Sequence, residues 1–193
     1  MICIGVDPAP DGFHAVALMQ NAKREVFIQT YAEMLPVNHT RFMARAESLL
    51  HTHQAMSDVV RDCLAQWGPD RWADPDEDTT VYVFCEEPVV AGARNLRTSL
   101  KIAQAVGAIV SGAAHSTLRT YLVPVSKWKK ATCGSGSAGK PQVTDWLNHT
   151  HPAYAAACGG KQDLVDACCI ALYGLSIIAD AELVRSVGSS GQL

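Results

Sequence analysis

Four acids occupy positions from which carboxylates can do chemistry. Asp7 closes the apolar run Ile2–Val6, and Glu86 closes a second run, Val81–Cys85. Asp163 and Asp166 open a long apolar segment, spaced so that both project from one face if it is helical. If the two strand ends are neighbours and the helix packs across them, all four carboxylates meet in one pocket. Such a cluster repels itself without cations. Oxygen-only donors suit Mg2+ or Mn2+. Two ions ~3.5–4 Å apart would activate a water and stabilise the leaving oxygen in phosphodiester hydrolysis. Each acid alone has a plainer reading. Strand-end acids are commonly solvated, and a D-x-x-D at a helix start complements the helix dipole. Glu87 competes with Glu86, but adjacent strand residues face opposite ways, so only one can reach the metals.

The charge distribution says more than its sum. A net charge of −3 does not favour a nucleic-acid binder. Yet from Asp70 to Asp78 the chain carries five acids and one arginine, whereas Arg119–Lys140 holds five basic residues and no acid. A basic strip beside an acidic pocket suits a metal-dependent nuclease, because the metals neutralise the acids.

The elements that must place these residues follow from periodicity. Ile2–Val6, Phe13–Met19 and Glu25–Tyr31 read as strands joined by turns at Gly12 and Asn21-Ala22-Lys23. Apolar spacing predicts a helix over Arg41–Trp67, capped by Thr40 and stopped by Gly68-Pro69. An exposed acidic loop over 70–80 leads into strand Val81–Cys85. Helix Asn95–Ala114, with Asn95 as its N-cap, carries two apolar stripes: Leu96, Leu100, Ala103, Val106 and Val110, and Ile102, Ala105 and Ile109. A helix apolar on two sides is buried twice, either within a large core or between a core and a partner chain. A strand Arg119–Val125, the glycine-serine loop Gly134–Gly139, a helix near Pro141–Asn148 and a last helix Gln162–Ala181 complete the series. Trp128 reads as packed at a strand end, although an aromatic between Lys127 and Lys129 could stack on a base. The order β-β-β-α-β-α-β-α-α predicts an α/β fold, a mixed five-stranded sheet with helices on both faces, as in the RNase H fold. Residues 1–187 read as a single domain and 188–193 as a disordered tail.

No uninterrupted apolar run is long enough to span a membrane, and the N-terminus lacks the marks of a signal peptide. Seven cysteines without a C-x-x-C pair read as reduced core residues of a cytoplasmic protein. His149, His151 and Cys158 fit no standard zinc spacing.

In this order the motifs resemble those of RuvC-type Holliday junction resolvases. Val6-Asp7-Pro8 resembles the opening motif, Cys85-Glu86-Glu87-Pro88 the second, and Leu100–Gly107 the helix that follows it. Lys129–Val143 is similar to K-x-x-x-x-G-x-G-S-A-x-K-x-Q-V, the most specific match, and Asp163–Ala167 to D-x-x-D-A. The resemblance covers nearly the whole chain. It implies a homodimer that binds branched DNA and cuts four-way junctions with paired symmetric nicks, using two divalent ions per site. Asp7, Glu86, Asp163 and Asp166 would hold the metals. Lys129 and Lys140, with Lys127, Lys130, Gly134, Ser135, Gly136 and Ser137, would contact the DNA backbone. Ile102, Ala105 and Ile109 would form the dimer seam. Two departures mark a divergent phage or bacterial member. The usual D-P-G is here Asp7-Pro8-Ala9, and Val89 stands where the family often has an aromatic that probes the junction centre. The second departure puts strict four-way selectivity in question and leaves a broader branched-DNA nuclease open. A non-catalytic DNA-binding dimer and an actin-like nucleotide-binding lobe are the readings from other classes. The first would normally have lost an acid, and the second needs two lobes.

Overall fold

The computed structural model describes residues 1–10, 12–20, 26–34, 42–67, 80–89, 92–114 and 118–189. These form strands β1 (Ile2–Ala9), β2 (Gly12–Gln20), β3 (Val26–Met34), β4 (Val81–Glu86) and β5 (Leu118–Val123). The helices are α1 (Phe42–Trp67), α2 (Gly92–Gly112), α3 (Val125–Cys133), α4 (Lys140–Thr150), α5 (Pro152–Ala157) and α6 (Gln162–Ser189). The expected turn at 21–23, the Thr40 cap, the Gly68-Pro69 stop and most of the acidic loop lie outside the described residues. So do residues 190–193, while α6 continues through 188 and 189, where a tail was expected.

One sheet runs in the order β3-β2-β1-β4-β5. The first three strands are antiparallel neighbours, and β4 and β5 continue parallel to β1. Side chains alternate across the pleat and build two cores. Ile2, Ile4 and Val6 of β1, with Val81, Val83 and Cys85 of β4, pack under α1 and α2. Cys3, Phe84, Val16 and Leu18 face the other way, under α6 and Trp128. Both faces are covered, so the strands read as continuous apolar runs rather than alternating ones.

The contact between α6 and the sheet is unusually close. A Cβ on Gly5 would stand 2.1 Å from the Ala167 carbonyl oxygen and 2.4 Å from the Ala171 nitrogen. Only a glycine lets the helix backbone rest on β1 there. One on Gly174 would meet the Phe84 ring at 2.4 Å. The segment Gln162–Ala181 is long and apolar enough to cross a membrane, with mean hydropathy 1.8 over 20 residues. Its apolarity is used against the sheet: Val165, Cys168, Cys169, Ile170 and Ala171 are all buried.

Two expectations are corrected. Chain 124–133 is not the end of a strand: β5 stops at Val123, Pro124 caps α3, and Gly134 ends it in the left-handed conformation (φ 74°). The apolar Tyr-Leu-Val-Pro-Val run hides that boundary, because periodicity alone cannot separate a buried strand from a short helix. The second correction concerns α2. Ala105 and Ile109 are buried and Ile102 packs against the same core, so the stripe assigned to a dimer seam is the inward face. Leu96 (46% exposed), Leu100 (55%) and Ala103 of the other stripe face outward instead, while Val106 and Val110 turn in.

Candidate active site

The pleat decides which acids meet. The β1–β4 register pairs Val6 with Cys85, so Asp7 and Glu86 emerge side by side one residue further on. Both lie on the α6 face, in phase with Cys3 and Phe84. Glu87 faces the opposite way and is exposed, and its backbone N–H donates to the Val123 carbonyl (2.9 Å). Asp163 and Asp166 stand in the first turns of α6, just before the Ala167 carbonyl that rests on Gly5. The glycine contact thus sets the height at which the helix acids approach the strand acids.

The carboxyls feel one another. Burial, then Glu86, Asp166 and Asp163 in that order, push Asp7 up from 3.8 to about 8, against a pull from Lys140. Burial also raises Glu86 and Asp166. Each is held by a donor that offsets part of that rise. The Trp128 indole N–H donates to Glu86 Oε2 (3.0 Å), and Gln162 Nε2 donates to Asp166 Oδ1 (2.9 Å). Thr144 Oγ1 in turn donates to Gln162 Oε1 (2.8 Å), which fixes the amide's orientation. Trp128 is therefore a buried helix residue that steadies Glu86, not a strand-end aromatic.

The lysines divide into two sets. Lys140 Nζ lies 3.7 Å from Asp163 Oδ1. Lys129 Nζ donates to the Ala138 carbonyl (2.9 Å), and its charge favours ionised Glu86 and Asp166. Lys127 and Lys130 are exposed and line a shallow surface cleft with Ser126, Ala131 and Gly136. The loop glycines have structural uses of their own. Gly134 caps α3, and a Cβ on Gly136 would stand 2.8 Å from the Ser126 carbonyl oxygen. Ser135 and Ser137 are exposed and share a hydrogen bond (3.1 Å).

His14 was not among the sequence candidates. It sits on β2 directly opposite Asp7, with Nδ1 3.8 Å from Asp163 Oδ2. Burial lowers its pKa and Asp163 raises it. Only the cross-strand register reveals it, since six residues intervene between it and Asp7 in a chain whose hairpin turn had to be known first. At His149, His151 and Cys158 no metal site forms: His149 contacts the Asp145 carbonyl and His151 stacks on Tyr154.

Among the described residues no three His, Cys, Asp or Glu side chains stand close enough to grasp one ion as they are. The donor set nonetheless fits a hard divalent cation. It is all oxygen at the four acids, and three of the carboxyls are raised by burial and like charge, which a bound cation relieves.

A mixed 3-2-1-4-5 sheet with carboxylates at the ends of its central parallel strands and on a helix lying across them is an RNase H-like fold. The chain belongs to the RuvC family: the family described as crossover junction endodeoxyribonuclease RuvC matches it over residues 4–173. The RuvC of Trichlorobacter lovleyi is 36% identical over 80 residues, 42% of this chain and 38% of that protein. The RuvC of Natranaerobius thermophilus is 39% identical over 51 residues, 26% of this chain and 32% of that one. The aligned stretches thus span about a third of these relatives' lengths. A solved structure of Thermus thermophilus RuvC, in complex with Holliday junction substrate, superposes with a TM-score of 0.59. It is 17% identical and covers 89% of this chain and 91% of its own, a likeness of fold.

Proposed function

We propose that this chain is a divalent-metal-dependent endonuclease that resolves four-way DNA junctions by paired symmetric nicks, in the cytoplasm of a bacterial or phage-infected cell. One observation carries the reading: Asp7, Glu86, Asp163 and Asp166 come to one face of the sheet from three separate elements. Family membership supports the activity, and the junction-bound T. thermophilus relative supports the substrate.

Asp7, Glu86, Asp163 and Asp166 would hold two Mg2+ or Mn2+ ions, which supply an activated water and stabilise the leaving oxygen. The chain's own residues do the positioning. Trp128 holds Glu86, and Gln162, itself held by Thr144, leaves Asp166 one oxygen free. Lys129 and Lys140, beside the acids, are placed to meet the phosphate being cut. Lys127 and Lys130, exposed on the neighbouring cleft, would meet flanking phosphates.

The protein acts as a homodimer in this reading. The outward face of α2, with Leu96, Leu100, Ala103 and Gly107, leaves apolar side chains and an uncovered glycine exposed. Leu122 of β5, 50% exposed, lies on the same side of the sheet. A two-fold pair would present two sites to a two-fold junction. A broader preference for branched DNA is the second reading, favoured by Val89, which is 61% exposed and too small to stack on a base.

The test is cleavage of four-way, flap and linear DNA with and without divalent metal. Asp7→Asn, Glu86→Gln, Asp163→Asn and Asp166→Asn should each lose at least about a hundredfold in rate while still binding junctions. Glu87→Gln should stay near wild type. Equal cutting of all three DNAs would support the second reading, and no metal-dependent cutting of any would refute both.

A further inference from the structure

Among the described residues beside the acids, His14 has no part in the four-carboxylate reading. Strand alternation turns it to the α6 face with Val16 and Leu18. Its side chain is only 12% exposed, and its Nδ1 is buried without a hydrogen-bond partner. Buried polar atoms in folded proteins are satisfied by protein, water or an ion, so this nitrogen calls for a partner. Its nearest charged neighbour is Asp163 Oδ2 at 3.8 Å, beyond hydrogen-bond reach. Lys140 occupies the other oxygen of that carboxylate, at 3.7 Å, so Oδ2 and the imidazole are left facing each other.

The separation suits two donors on one cation. Ligands ~2.1 Å from an octahedral ion stand about 3.0 Å apart when adjacent and about 4.2 Å apart when opposite. The 3.8 Å gap lies nearer the wider of these two distances, and a shift of a few tenths of an ångström would bring both donors onto one ion. We infer that His14 is a further metal ligand, sharing one divalent cation with Asp163 and giving that position a mixed nitrogen and oxygen donor set. The inference rests on the metal-dependent reading above. Its chemical consequence is selectivity. Imidazole suits first-row transition ions, whereas Mg2+ prefers oxygen and keeps its waters. The position shared with Asp163 therefore favours Mn2+ over Mg2+.

The test uses the purified full chain without DNA. Mn2+ is titrated in and followed by pulsed EPR, and Mn2+ and Mg2+ affinities are measured by calorimetry. The wild type should show the nitrogen coupling of a directly bound imidazole. His14→Gln should lose that coupling and bind Mn2+ about tenfold more weakly, with Mg2+ affinity changed by less than about twofold. His151→Gln should keep the coupling. If His14→Gln does not fold by circular dichroism, His14→Asn replaces it, and the wild-type coupling is decisive in either case. Mn2+ binding that lacks nitrogen coupling and is abolished by Asp7→Asn overturns the role of His14 and leaves the carboxylate site standing. No Mn2+ binding to the wild type overturns both.

Discussion

Asp7 is held with its carboxyl raised to about 8, mainly by burial and then by the neighbouring acids, and this has a sign that can be checked. In the unfolded chain the group ionises near its ordinary 3.8, so between that pH and about 8 the folded protein holds a proton that the unfolded chain has lost. Stability must therefore fall as pH rises through this window, and level off above it. Thermal melts in chelator at pH 5, 7 and 9 should show that fall, and Asp7→Asn should flatten it. An equal fall in the variant would mean that Asp7 is not the source. The four acids themselves were legible in the sequence, because strand ends and an i, i+3 pair are local patterns. Glu86 was separable from Glu87 by resemblance, and the pleat gives the physical reason. The residues that steady the acids were not legible. Trp128, Gln162 and Thr144 reach their partners through space, and His14 through a register that no local pattern records.

At the level of elements, the site depends on how closely α6 lies on β1. Gly5→Ala puts a methyl carbon into the Ala167 carbonyl and must lift the helix or bend the strand. Overpacking of this kind costs roughly 1–3 kcal/mol, and here it also moves Asp163 and Asp166 away from Asp7. We expect a lower melting temperature together with a loss of activity larger than the unfolded fraction explains. Unchanged stability would show that the helix does not rest on Gly5. Most elements were legible from periodicity: five strands and the long helices came out within a few residues. The short helices α3 and α5 are the exceptions, and for α3 the cause is simple. Its nine residues are too few to establish a helical period, and Val125 beyond Pro124 continues the apolar run of β5 past the true boundary. Similarly, α2 announced two apolar stripes, but which one faces the sheet is decided by tertiary packing.

For the molecule as a whole, the corrected face of α2 changes what a dimer test should use. Leu100→Glu places a charge on the exposed apolar face and should give a folded monomer by sedimentation, one that nicks junctions without symmetry. Ile109→Glu buries a charge in the core and should instead unfold the protein. If Leu100→Glu remains dimeric, the seam lies elsewhere. Binding should also report the two sets of lysines. Removing Lys127 and Lys130 should reduce the log–log salt slope by nearly one unit each, because exposed lysines release counterions from DNA. Removing Lys129 or Lys140 should affect cleavage more than affinity.

The two halves of the acidic cluster lie at opposite ends of the chain: Asp7 on the first strand, and Asp163 and Asp166 on the last helix. Synthesis proceeds from the N-terminus at ~5–20 residues per second, so the sheet emerges well before α6. Until Gln162 and the turns after it leave the ribosome, the nascent sheet carries Asp7 and Glu86 without Asp163 and Asp166, and α6 does not yet cover the face from which they emerge. A product that stops before Gln162 would therefore lack half of the acids, and on the proposed reading it could bind DNA but not cut it.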